Sequence, residues 1–169
     1  MLVSKAQVQN FNLTVNGTST LHDWEMKTSK IACTATFTFY EDGDLGGVTQ
    51  LNFTMPAESL KGDRTGMDAN AYRSLNTSEN PTITYNLTTA KVSTDGKTIT
   101  CTGKLTVAGV TRSIDMIAIA QLNKDKSITI NGSKKINMRD YGIDPPSFMM
   151  GTVKTGEEVT ISYNLTFRH

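Results

Sequence analysis

Chemically equipped side chains are scarce in this chain. It has two histidines, two cysteines, one tryptophan and four prolines among 169 residues. One histidine, His169, is the last residue, so His22 is the only internal imidazole. Nucleophilic or general acid–base catalysis needs a nucleophile, a base and an orienting group within reach of one another. No GxSxG, HExxH, Walker or GxGxxG pattern is present to supply them. Cys33 and Cys101 show no CxxC spacing, which excludes a zinc set and a disulfide-dense scaffold. Catalytic residues, metal ligands and cofactor sites are therefore expected to be none. The net charge is +1, with no long basic run and no acidic tail, so the footprint of a nucleic-acid binder is missing. No stretch nears the roughly 18–20 apolar residues that span a bilayer as a helix, so no integral membrane segment is expected. The opening Met1-Leu2-Val3-Ser4-Lys5 has no charged region leading into an apolar one, which fits a cytoplasmic protein or a chain that begins after a removed signal.

What the chain does have is alternation. Hydrophobic residues make up 37% and charged residues 20%, and the length suits one domain over residues 1–169. Ile31, Cys33, Ala35, Phe37 and Phe39 alternate with Ala32, Thr34, Thr36, Thr38 and Tyr40. Leu51, Phe53 and Met55 alternate with Asn52 and Thr54, and Ile83, Tyr85 and Leu87 with Thr84 and Asn86. The pattern returns at Thr98–Val107 and at Val159–Phe167, and weaker runs lie near Gln7–Val15, Ser113–Leu122 and Ser127–Met138. Strand side chains point to opposite faces in turn, so each run offers an apolar face and a Thr/Asn face. A wet Thr-rich exterior is the reverse of an outer-membrane barrel. Turn signals such as Asp95-Gly96 and Ala108-Gly109 separate the runs. About eight strands on short turns predict an all-β antiparallel barrel or sandwich, and barrel closure would remove the exposed edges. The seven Asn-x-Ser/Thr triplets, from Asn12 to Asn164, follow from a composition rich in Asn and Thr.

Two segments break the alternation. In Ser59–Pro81, the spacing of Met67, Ala71 and Leu75 predicts one short amphipathic helix, stopped before Asn80-Pro81. Met138–Glu158 holds two prolines and the apolar cluster Phe148-Met149-Met150, as a lid or rim loop would.

In order along the chain, GTSTLHDWEM (17–26), MDANAYRSLNTSENPTITY (67–85), CTGKLTVAGVTRSIDM (101–116), INMRDYGID (136–144) and GTVKTGEEVTISYNLTF (151–167) form a set. Together they resemble the YceI-like family of lipocalin-like, polyisoprenoid-binding periplasmic proteins. The HDW form and the DPPSFMMGT loop resemble a sub-branch common in Bacteroidetes-type members. Ala108 stands where the family hairpin often carries His, and Leu75-Asn76-Thr77 replaces an aromatic pair. The resemblance implies an elongated eight-stranded antiparallel lipocalin-like barrel with a helix at its side or mouth. It also implies an apolar tunnel for an isoprenoid or fatty-acyl chain, and a periplasmic or secreted location with the signal peptide removed.

A barrel of eight strands either fills with side chains or holds one slim ligand. Small inward positions (Ala35, Gly103, Ala118, Ala120) and eight methionines favour a cavity. The expected lining is Phe37, Phe39, Leu51, Phe53, Tyr85, Leu105, Met116 and Tyr163, with Met67, Tyr72, Tyr141, Phe148 and Met149 at the rim. For each lining residue taken alone, plain packing is the competing reading, and a bulge would flip every later residue of its strand. Candidate headgroup contacts are His22, Arg73 and Arg139. Each has a structural alternative: a hydrogen bond at a strand end for His22, and an ion pair with Asp140 or a neighbour for Arg139 beside the Gly142 turn. Arg112 reads as structural. On a strand, His22 and Trp24 share a face while Asp23 points away, and Trp24 packs at the barrel end or on a tunnel wall. Cys33 and Cys101 read as small buried hydrophobes, or as a disulfide if their Cα atoms lie within about 7 Å. The expected partner is a long-chain amphiphile bound without chemistry, and a homodimer is left open. The alternative is a packed barrel acting as a protein-interaction module.

Overall fold

The structure, a computed structural model, describes residues 1–148 and 151–169. In chain order its strands are β1 (Leu2–Ser19), β2 (Trp24–Thr28), β3 (Ala32–Phe39), β4 (Leu45–Pro56) and β5 (Leu60–Lys61). The helix α1 (Thr65–Leu75) follows, then β6 (Thr82–Val92), β7 (Thr98–Val107), β8 (Val110–Leu122), β9 (Ile128–Asn137), β10 (Ser147–Phe148) and β11 (Val153–Arg168). Eight of these, β1, β3, β4, β6, β7, β8, β9 and β11, form a closed antiparallel barrel, sealed where β11 returns to pair with β1 from Gln7–Arg168 to Ser19–Thr155. A ten-residue strand spans about 33 Å, so the barrel is long for its width.

Register shows how the wall is extended at one end. β1 pairs with β3 from Leu2–Phe39 to Gln7–Thr34, and with β2 from Thr14–Lys27 to Gly17–Trp24. The two partner numbers sum to 41 in every pair, so β2 and β3 are one strand interrupted at Ser29–Ile31. Thr28 holds the break: its hydroxyl donates to the Lys30 carbonyl (3.0 Å), accepts from the Lys30 amide and meets Ser59 Oγ at 2.6 Å. In the same way β5 carries β4 onward after a 3₁₀ turn at Ala57–Ser59, and pairs with β2.

Strands run longer than alternation indicates because bulges reset the phase. A register shift between Val8 and Asn10 lets both Ala6 and Phe11 face the core, five residues apart. Similar shifts in β3–β4 and β6–β7 put Val48 and Ala90 in phase with Leu51 and Leu87.

Two ladders stop short. β8 and β9 are paired only from Ala118–Gly132 to Leu122–Ile128, although β8 begins at Val110 and β9 continues to Asn137. β4 and β6 are paired only from Asn52–Asn86 to Pro56–Thr82. The wall therefore loosens in two places, near opposite ends.

Packing divides accordingly. One end holds a tight cluster with Phe37, Val48, Ile99, Ile128, Ile130 and Phe167. Phe37 and Phe167 meet edge to face there, with centroids 5.3 Å apart and planes at 80°, a favoured aromatic geometry. The other end gathers Leu13, Met26, Met55, Leu60, Tyr85, Leu105, Tyr141 and Ile143. Helix α1 caps this end and terminates at Asn76, which takes a left-handed φ of 50°. Its anchors are polar. The Asp68 carboxylate accepts from the Gly62 amide (2.6 Å), and the Thr77 hydroxyl donates to Glu58 (2.9 Å).

His22 departs from expectation. It lies in the β1–β2 connection rather than on a strand, so alternation has no bearing on where it points. Ser19 shapes that turn by accepting from the amides of Leu21 and His22 and donating to the His22 carbonyl.

Candidate functional site: an apolar tunnel

The inward faces enclose one cavity that runs from helix α1 to Phe167. Its volume is about 240 Å³, against the roughly 10–15 Å³ that one water needs on the same measure. The lining is almost wholly apolar. Leu51, Phe53, Tyr85, Leu105, Met116 and Tyr163 stand on this wall, joined by Leu13, Val15, Met26 and Cys33 from the first strands.

Three aromatic rings keep the bore open by lying over glycines of neighbouring strands. A Cβ on Gly17 would run into the Trp24 indole, and one on Gly103 into the Tyr85 ring. A Cβ on Gly132 would come 2.6 Å from the Tyr163 hydroxyl. Missing side chains thus make room for rings against the wall rather than for open space. Gly103, an inward position expected to be free volume, is filled by Tyr85. Polar tips on the wall are quenched locally: Tyr85 Oη lies 3.7 Å from Cys101 Sγ, and the Tyr163 hydroxyl donates to Met116 Sδ at 3.5 Å. Burial pushes the Cys33 thiol and the Tyr163 phenol each up to about 12. It raises Tyr85 and Cys101 as well, Tyr85 further through its Cys101 neighbour. Both cysteines are free thiols on the cavity wall.

Several expected site residues lie elsewhere. Phe37 is fully buried behind the tunnel end against Phe167, and Phe39 packs beside the same cluster, so both belong to the floor rather than the wall. At the rim, Tyr72 turns away from the cavity to donate to the carbonyls of Glu58 (2.9 Å) and Leu60 (2.6 Å), pinning α1 to the wall. Met67 packs against the helix-end cluster and over Gly62. Ala71, Ser74 and Leu75 are the helix residues that reach the cavity. Tyr141 is buried in the 3₁₀ turn Met138–Tyr141, off the lining, and its hydroxyl has no hydrogen-bond partner among the described residues. Met138, Ile143 and Pro146 supply the lining from this loop. Met149 and the Phe148 side chain lie outside the described residues; the Phe148 backbone pairs with Val153.

The headgroup candidates are also engaged or remote. Arg139 binds Glu157 (2.8 Å) and reaches Asp144 (3.5 Å), rather than Asp140. Arg73 is exposed and donates to Asn70 on its own helix. Arg112 donates to the Asp140 carbonyl (2.9 Å), tying the hairpin to the loop. His22 is exposed, with Nδ1 2.8 Å from the carbonyl of Asp23. Trp24 lines the tunnel and donates from Nε1 to the Thr18 carbonyl (3.1 Å).

One lining residue carries a charge. Lys134 lies on β9 in phase with Ile128, Ile130, Gly132 and Ile136, and it is the only charged side chain on the cavity wall among the described residues. The alternation carried the signal, but a lysine inside an apolar series reads as surface.

A closed eight-stranded barrel around an apolar bore defines a lipocalin-like architecture. The YceI-like domain model matches residues 4–167, and the chain belongs to the YceI-like family. Solved structures share the fold. Burkholderia cenocepacia BcnA is 14% identical with a TM-score of 0.76, covering 92% of this chain and 95% of its own. A polyisoprenoid binding domain from Saccharophagus degradans, implicated in plant cell wall breakdown, is 11% identical with a TM-score of 0.72 and 99% coverage of both chains. The Campylobacter jejuni YCEI protein is 16% identical with a TM-score of 0.65, covering 84% of this chain and 83% of its own. No curated protein shows significant sequence similarity to the chain. Among the described residues, no helix is long and apolar enough to cross a membrane.

Proposed function

We propose that this protein binds and carries one long-chain lipid, an isoprenoid or a fatty-acyl amphiphile, and performs no chemistry on it. The observation that carries this is the continuous apolar cavity running from α1 to the Phe37–Phe167 floor. A solid core would have closed it, since empty volume of this kind destabilises a barrel by about 24 cal/mol per Å³. An apolar chain lying in this cavity would recover that loss. The Saccharophagus neighbour, described as polyisoprenoid binding, supports the same class of occupant. Membership in the YceI-like family supports export to the periplasm. The one internal imidazole, His22, is exposed at a turn and hydrogen-bonded to an adjacent backbone carbonyl, which suits a structural part better than a catalytic one.

Organic extraction of purified protein, with native mass spectrometry of the intact complex, tests the proposal. A stoichiometric lipid, or uptake of a long-chain fluorescent probe after delipidation, is the expected result. Delipidated protein that takes up no long-chain probe overturns it.

A further inference from the structure

Lys134 is the one charged residue among the described residues that line the tunnel, and its aliphatic stem forms its part of the wall. This residue sits opposite Ile161 in the β9–β11 ladder, and the β8–β9 ladder ends at Gly132, two residues before it. Lys134 therefore stands where the wall has parted, half-buried, with its stem along the bore. Its ammonium has no carboxylate partner among the described residues. The ion pairs present join Lys27 to Glu25, Arg139 to Asp144 and Glu157, and Arg168 to Asp125.

A lysine with no structural duty could sit outward at no cost, as its neighbour Lys135 does. In phase with the wall, Lys134 sets the one cationic side chain of the lining beside the parted ladder, where an anion carried on a lipid chain would reach it. The two tyrosine hydroxyls of the wall are turned elsewhere, Tyr85 to Cys101 and Tyr163 to Met116.

We propose that Lys134 is the headgroup subsite of the tunnel, and that the natural occupant is an anionic amphiphile. Its chain fills the apolar bore, and its carboxylate or phosphate meets the Lys134 ammonium at the parted β8–β9 wall. Such a charge-assisted hydrogen bond is stronger than one to a neutral hydroxyl. This rests on the proposed lipid-binding reading and adds to it the sign of the headgroup.

The test uses delipidated protein titrated calorimetrically with hexadecanoate, hexadecyl phosphate and hexadecanol, all below their aggregation limits, for the wild type, Lys134→Met and Lys134→Arg. The wild type is expected to bind one or both anions at least tenfold more tightly than hexadecanol, a factor set by about 1.4 kcal/mol. Whichever anion is preferred names the headgroup. Lys134→Met removes the preference for the anions over hexadecanol; Lys134→Arg retains a preference. A wild type that binds all three alike, or a Lys134→Met that keeps the preference, overturns the headgroup assignment and leaves the tunnel reading standing. A wild type that binds none of the three overturns both. Thermal unfolding of each variant confirms that it is folded, and the ratio of anion to alcohol affinity within one variant is independent of its stability.

Discussion

Tyr163 and Gly132 face each other across the β9–β11 ladder, and the tyrosine hydroxyl stands 2.6 Å from where a Cβ on residue 132 would be. Ring and glycine therefore act as one unit of wall. Gly132→Ala would also press on the Ile117 carbonyl, 3.1 Å from the same Cβ, and backbone yields less readily than a ring. The substitution is expected to destabilise the fold by about 1–3 kcal/mol and to drive Tyr163 into the bore, lowering probe uptake. Adding Tyr163→Leu should recover part of both losses. Urea unfolding of the two single variants and the double variant gives the coupling energy directly.

Ala118 offers the opposite manipulation. It is buried, it lines the cavity, and it pairs with Gly132 at the last rung of the β8–β9 ladder. Ala118→Phe places a ring where the lipid chain would lie. With room in the bore, it should cost less than the roughly 1–3 kcal/mol typical of overpacked cores while abolishing uptake of a long-chain probe. Unfolding curves and a fluorescence titration separate the two effects.

Alkali should weaken the fold through Cys33. Its folded value of about 12 exceeds the ordinary thiol value of 9.0, so the native state holds its proton where the unfolded chain has lost it. The stabilisation is complete below about pH 9 and declines by roughly 1.4 kcal/mol per pH unit until pH 12. Tyr163, also raised to about 12, adds to the decline at the upper end. Cys33→Ala should therefore lose less stability than the wild type between pH 8 and pH 11. By the same logic, native Cys33 should resist alkylation at pH 8, because the thiolate is the reactive form.

The β7–β8 hairpin carries a removable strain. Ala108 and Gly109 both have positive φ, 51° and 79°, as a two-residue type I′ turn requires. The left-handed region disfavours a Cβ by about 1–2 kcal/mol relative to glycine, and Asn tolerates it better than Ala. Ala108→Asn is expected to raise stability by up to about 1 kcal/mol without changing ligand uptake. A higher urea midpoint at unchanged slope would show it.

The barrel was readable because its strands obey the period-two rule over long stretches, as at Thr98–Val107, whose bounds the structure reproduces. Bulges hid the rest. At β1 the shift past Val8 reverses the phase, which alternation can follow only once the partner strand is known. The interrupted strand formed by β2 and β3 was not legible either, since its continuity lies in a shared partner rather than in its own residues. Within the site, alternation placed Leu51, Phe53, Tyr85, Leu105, Met116 and Tyr163 inward, but it carries no depth. It could not separate a wall position from Phe37, which faces the same way and closes the end. His22 looked chemical for its neighbours in sequence, whereas Lys134 sits within a plain strand and is set apart only by which way its strand faces.

The edge-to-face contact of Phe37 with Phe167 has a consequence for selection by size. A tunnel stopped by two interlocked rings is a ruler. A chain whose headgroup met Lys134, as proposed, would have a fixed distance to run before it reached them, so the floor would limit length as the lysine would select charge. Shorter chains leave methyl-sized gaps above the floor, and longer ones must fold back or stay partly in water. If the tunnel holds a lipid as proposed, these two rings set an upper limit on the length of its chain.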